Sequence, residues 1–154
     1  MKTLPLSSVL CALSITSASA QDMIHSQAPQ LPTIIGPEAN FTGAVIVSEL
    51  FGLNDGSDTT AGKVTFQPNA RSNWHSHPAG QYLVVADGTG WVQQKGAEKI
   101  LMRAGDVIWT PPGVMHWHGA TDTTYVTHFA IQDIVDGSGV VWGDRVTDAD
   151  YLSE

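Results

Sequence analysis

Positive charge is scarce in this chain. Seven Lys and Arg stand against fifteen Asp and Glu in 154 residues, a net charge of -8. Nucleic acid and anionic lipid both demand clustered Lys and Arg, so neither is expected as a partner. Cysteine is nearly absent too, with Cys11 alone. No internal disulfide can form, and the hydrophobic core must hold the fold unaided. Charge of either sign is low, at 14% of residues. Sustained helical periodicity is also missing: no window of a dozen residues carries a convincing 3.6-residue repeat.

The one apolar stretch of any length lies at the N-terminus. Met1-Lys2 gives a positive start, residues 4–18 are mostly apolar or small, and Ala18-Ser19-Ala20 precedes Gln21. That order reads as a secretory signal over residues 1–20, too short and serine-rich for a membrane anchor. Cleavage there removes Cys11 and Lys2. Leu10 sits where a lipoprotein signal wants a small residue, so Cys11 is a poor lipidation site. The expected location is outside the cytoplasm, in a bacterial periplasm.

What is present is apolar residues (42%) and 15 glycines, a balance suited to a turn-rich β protein. Residues 21–40 hold three prolines and read as an extended arm with one short edge strand. Short β-like runs follow near 43–50, 62–67, 81–86, 89–94, 98–102, 106–110, 116–118 and 124–132. Turns are placed at Asn54-Asp55-Gly56, Pro68-Asn69, Asp87-Gly88, Lys95-Gly96, Ala104-Gly105 and Pro111-Pro112-Gly113. About eight short strands predict an all-β jelly-roll barrel over 41–145, with a tail at 146–154 able to form one helical turn. Asn40-Phe41-Thr42 matches a glycosylation sequon, which matters only in a eukaryotic secretory pathway.

Histidine carries the chemistry. His75-Ser76-His77 sits where a strand begins, and residues two apart on a strand share a face. Pro78-Ala79-Gly80 turns the chain so that Gln81 opens the next strand nearby. His116-Trp117-His118 repeats the spacing, and alternation over 124–132 puts Val126, His128, Ala130 and Gln132 on one face. Imidazole is the commonest metal ligand, so two HxH pairs in one small β domain point to a metal site. His25 lies in the arm and has no such company. Trp74, Trp91, Trp109, Trp117 and Trp142 read as core or interface, and Arg71 as a surface or turn residue.

These residues resemble a known family. Asn69-x5-His75-x-His77-x3-Gln81-x6-Gly88 and Gly105-x5-Pro111-x-Gly113-x2-His116 are similar to the two cupin motifs. The resemblance implies a cupin jelly roll (double-stranded β-helix) whose one divalent metal is held by His75, His77, Gln81 and His116. Three positions depart from the pattern: Asn69 and Gln81 replace glycine and glutamate, and Ala120 replaces asparagine. Asn tolerates the positive φ that glycine supplies. Gln81 leaves the ion with neutral ligands only, so a site near +2 would favour an anion. A hydrogen-bonding Gln81 beside a metal-free pocket is the alternative.

Trp74 to Gln81, His116 to Ala120 and Thr127 to Gln132 together resemble the small bacterial manganese-dependent cupin hydroxynitrile lyases. That resemblance implies cleavage of (R)-mandelonitrile-type cyanohydrins to an aldehyde and cyanide, with Mn in the site, although Fe, Co, Ni or Zn suit the same donors. His118 and His128 are then the candidate bases, or partners that orient a ligand. Gln132 is a candidate for hydrogen bonding the substrate. An iron-dependent dioxygenase and a non-enzymatic metal- or small-molecule-binding protein are the competing readings. Cupins of this size imply a homodimer or homotetramer, paired through sheet edges and the arm.

Overall fold

A computed structural model describes residues 22–27 and 30–153. The expected signal sequence and cleavage point, and Cys11, lie outside these residues.

Twelve strands and one short helix make up the described chain. In order they are β1 (Thr33–Ile35), β2 (Phe41–Thr42), β3 (Val45–Phe51), β4 (Thr59–Phe66), β5 (Arg71–Ser72), β6 (His75–Ser76), β7 (Gln81–Gln94), β8 (Ile100–Arg103), β9 (Val107–Thr110), β10 (His116–Ala120), β11 (Val126–Asp133), β12 (Val141–Trp142) and α1 (Asp148–Leu152). All pairings are antiparallel, and the sheet runs β1-β3-β4-β11-β7-β10-β5-β2. It curls into a half-barrel, the all-β jelly-roll architecture expected from the strand spacing. The expected edge strand of the arm is β1, which adds to β3. Among the described residues no helix is long and apolar enough to cross a membrane.

One turn expectation is corrected. Asp87-Gly88 does not separate two strands; β7 runs through it for 14 residues. Its first half pairs with β9 and β11 and its second with β8 and β10, so this strand joins the two faces of the half-barrel. The register slips between Thr127 and His128 opposite this point, a β-bulge that lets the strand bend. Gly88 adopts φ 77° there, and a side chain would collide with the Tyr125 carbonyl. Turn chemistry in the sequence therefore marked a bend within a strand. Asn69 has φ 70°, which is why Asn can stand where the motif has glycine.

Alternation along the strands builds two cores. Val45, Val64, Phe66, Leu83, Val85 and Val126 point inward with Met102 and fill one end of the half-barrel. Trp74, Trp117, Val146 and Tyr151 form a second cluster, with Trp91 and Met115 packed against it. Trp117 lies between His116 and His118 on β10, so it faces away from them and this cluster covers the opposite side of the sheet. The tail expected at 146–154 supplies the lid of that cluster. Thr147 caps α1 by accepting from the Asp150 amide, which sets Tyr151 into place.

Arg71 is a second correction. It is 4% exposed rather than a surface residue. Its guanidinium stacks 4.4 Å from the Tyr151 ring centre, donates to the Val146 carbonyl at 3.1 Å and pairs with Asp148. A planar, weakly hydrated cation can be buried in this way when its terminal nitrogens find acceptors, as both do here.

Candidate metal centre

Three short segments bring the histidines together. β6 pairs with β10 in a register that sets His75 opposite His116. His77 follows β6, and the turn to Gln81 is tied by Gly80 N donating to the His77 carbonyl at 3.2 Å. Gly80 has φ 82°, and a Cβ there would meet the Thr110 carbonyl at 2.7 Å, so only glycine closes this turn. Gly113 N also donates to the His77 carbonyl, at 3.0 Å, which ties the Pro111-Pro112-Gly113 turn to the first HxH segment.

The hydrogen bonds decide which ring nitrogens are free. His75 Nδ1 donates to the Asn73 carbonyl (2.9 Å), His77 Nδ1 to the Gly139 carbonyl (2.6 Å) and His116 Nδ1 to the Val114 carbonyl (3.0 Å). A carbonyl can only accept, so each Nδ1 carries the proton. In the neutral ring each Nε2 then presents a lone pair. Burial keeps the rings neutral. It holds His75 well below the ordinary histidine range, with the neighbouring His116 adding to the effect, lowers His77, and brings His116 down to about 4.

The amide of Gln81 is oriented by a relay. The Thr60 hydroxyl donates to the Gln132 backbone carbonyl (3.2 Å), so its oxygen is free to accept from Gln132 Nε2 (3.3 Å). Gln132 Oε1 then accepts from Gln81 Nε2 at 3.1 Å. Gln81 Oε1 is left facing His116 Nε2 at 3.3 Å. Both of those atoms are acceptors, and two lone pairs face each other across hydrogen-bond distance. His77 Nε2 is also buried without a partner. Buried acceptors without donors are costly unless a cation lies among them, so the donor set fits a divalent metal.

His118 joins the cluster. The ligand nitrogens of His75, His116 and His118 all lie within 4.8 Å of one another, so these three histidines could hold a metal ion. The resemblance to the cupin motifs implied His77 rather than His118. Ring centres place His77 beside the same group, 5.1 Å from His75 and 5.5 Å from His116. His118 Nδ1 lies 3.0 Å from His128 Nε2. Burial and the neighbouring His128 hold His118 well below the ordinary range, and burial alone brings His128 to about 4.

A cavity of about 170 Å³ opens onto His75, His77, Gln81, His118 and Gln132. His128 is wholly buried behind His118 and does not line it. Sequence reasoning missed Phe41, Val140 and Trp142 as parts of the wall. Trp142 pairs in register with His75, its ring 5.0 Å from that imidazole and 5.5 Å from Phe41. Of the five tryptophans read as core or interface, this one borders the site. Nothing in the irregular run from 134 to 146 signals it. Thr60 was missed too, because the expected strand began at residue 62, although the inward alternation of Val64 and Gly62 continues to it.

Comparison with known proteins agrees with this geometry. The family described as the cupin domain matches residues 62–131. A relative named (R)-mandelonitrile lyase, from Granulicella tundricola, is 47% identical over 116 residues, covering 75% of this chain and 88% of its own. The chain is a cupin. The double-motif resemblance thus stands, and the cupin family match stops short of β12 and the carbonyl that holds His77. A cupin-like protein from Thermotoga maritima has 37% identity and a TM-score of 0.71, over 76% of this chain and 89% of its own. A polyketide cyclase from Streptomyces resistomycificus shares the fold at 15% identity, with a TM-score of 0.65 over 84% of this chain and 90% of its own.

Proposed function

We propose that this cupin is a metal-dependent lyase that cleaves, and in reverse forms, small cyanohydrins of the (R)-mandelonitrile type. The observation that carries the reading is the cup of neutral acceptors described above, in which Gln81 Oε1 faces His116 Nε2 with no proton between them. His75, His77, Gln81 and His116 are the ligand set, and His118, although its nitrogen lies near those of His75 and His116, is left out of it. Manganese is the preferred ion, by likeness to the family and because neutral nitrogen and oxygen donors suit it; Fe, Co, Ni and Zn are the alternatives. A divalent ion held by neutral ligands supplies undiminished positive charge, which stabilises the cyanide that departs. The name of the Granulicella tundricola relative supports this substrate class.

His118 is the base of the pair left open by the sequence, because it lines the cavity and His128 does not. When His118 Nδ1 donates to His128 Nε2, its Nε2 carries the lone pair. That nitrogen takes the hydroxyl proton while the carbon–cyanide bond breaks, its electron pair leaving on cyanide and the hydroxyl oxygen becoming the carbonyl. The proton then passes to cyanide, so hydrogen cyanide and aldehyde leave together. His128 acts through His118 as a positioning residue. Gln132 orients Gln81 rather than binding substrate, since both ends of its amide are occupied.

The partner is a small molecule, and the protein works as a secreted, periplasmic homodimer or homotetramer without nucleic acid or membrane. Aldehyde release from (R)-mandelonitrile by metal-loaded protein tests the reading. His118→Ala is expected to lose at least about a hundredfold in rate at every pH. His128→Ala should lose less. Equal rates in wild type and His118→Ala would remove the base assignment, and oxygen consumption with the same ligand would favour a dioxygenase.

A further inference from the structure

The inward faces of β3, β4 and β11 are stacked in levels by their register. At the closed end lie Val45, Phe66 and Val126; next come Val47, Val64 and His128. One level further out the residues are Glu49, Gly62 and Ala130. Two bulky levels are thus followed by one where β4 contributes no side chain and β11 only a methyl group. Gly62 needs no special backbone conformation and no tight packing. A Cβ there would lie 3.6 Å from the Ser48 carbonyl and 4.0 Å from Val47, which is ordinary contact. Neither turn geometry nor close approach calls for glycine at this position.

Open space is what glycine provides. A second cavity of about 320 Å³ lies beyond this level, lined by Pro32, Ile34, Phe51 and Thr60 among others, with Glu49 on its wall. It shares Val47, Gly62 and Gln132 with the cavity at the histidines. The inner cavity, at about 170 Å³, is smaller than ordinary small-molecule sites of roughly 300–1,000 Å³, whereas the two together fall inside that range. The outer walls are apolar apart from Thr60, Gln132 and the Glu49 carboxylate.

We propose that Gly62 is a specificity-determining threshold. The reacting carbon sits in the inner cavity, and the outer cavity receives an uncharged, extended aryl or alkyl substituent of the same substrate. This rests on the cyanohydrin reading for the chemistry at the inner end, and adds that the preferred substrates are longer than mandelonitrile itself. Glu49, exposed at the edge of the outer cavity, disfavours anionic substituents by like-charge repulsion.

Binding and turnover together test it on metal-loaded protein. Benzaldehyde and its biphenyl homologue are titrated by calorimetry against wild type, Gly62→Ala, Gly62→Val and Phe51→Ala, and cleavage of both cyanohydrins is followed in parallel. Wild type should bind both aldehydes, the biphenyl more tightly. Gly62→Val should weaken the biphenyl by about tenfold or more, and benzaldehyde by clearly less. Phe51→Ala should weaken the biphenyl alone. If Gly62→Val fails to fold, Gly62→Ala and Phe51→Ala carry the same comparison. Failure of wild type to bind the biphenyl, or equal losses for both aldehydes in these variants, overturns the threshold. Should the aldehydes bind as expected while neither cyanohydrin is cleaved, the lyase reading falls and the two-cavity site stands.

Discussion

In the proposed function Gln81 is the residue on which the chemistry turns. Its amide would offer the ion an oxygen without adding negative charge, and Gln132 and Thr60 fix which end of it faces the histidines. Gln81→Glu should therefore keep the metal but cancel part of the positive field on the departing cyanide. The expected loss is about tenfold to a thousandfold in cleavage, or roughly 1.4 to 4 kcal/mol in the barrier. Metal content measured beside the rate separates this from simple loss of the ion, and an unchanged rate would show that ligand charge does not matter here. The likeness to the motifs named His75, His77, Gln81 and His116; the structure brings all four near one another, while the nitrogens within 4.8 Å of one another belong to His75, His116 and His118. The likeness could not choose between His118 and His128, because alternation gives the face of a strand and not the depth along it. Depth comes from the curl of the sheet, which leaves His128 behind His118.

At the scale of elements, the two faces of the sheet separate function from stability. β10 sends His116 and His118 to the metal side and Trp117 to the other, where Tyr151 of α1 completes the second core. Tyr151 is 1% exposed and donates its hydroxyl to the Ala120 carbonyl at 3.0 Å. Tyr151→Ala should cost about 3 kcal/mol of stability. Bound metal should stay at one per chain, because the ligands lie across the sheet. Thermal denaturation with metal analysis on the same sample checks this, and lost metal at a temperature where the variant is folded would show the faces to be coupled. The longer strands were legible from alternation between turn signals, whereas the two-residue strands β2, β5 and β12 are too short to show any. The unbroken length of β7 was not legible either, since a glycine at positive φ looks the same in sequence whether it closes a hairpin or bends a continuous strand. Arg71 was read as exposed because charge usually is; the tail that buries it carries too short a pattern to announce its packing.

The whole molecule gathers five buried, neutral histidines into one small half-barrel, and this fixes its response to acid. An unfolded imidazole takes a proton below about pH 6.5. His116 and His128 in the folded chain resist protonation down to about 4. Between those values the unfolded chain holds more protons, so metal-free protein should lose stability as pH falls from about 6.5 to 4. The slope is about 1.4 kcal/mol per pH unit for each of these two histidines. Denaturant midpoints at pH 7, 6, 5 and 4 check it; midpoints that rise with acid would contradict the burial of neutral rings. Bound metal should be kept through this range and released only near and below about pH 4, where the ligand His116 takes a proton.

The central claim is that one divalent ion in the histidine–glutamine cup is what makes this cupin a lyase, and reconstitution of metal-free protein tests it most directly. Mn²⁺ is added in steps while aldehyde released from (R)-mandelonitrile is followed by absorbance. The rate should rise in proportion to bound metal and stop rising at one ion per chain. Cleavage by metal-free protein at the full rate, or no cleavage by loaded protein beyond that of Mn²⁺ in buffer, would contradict the account.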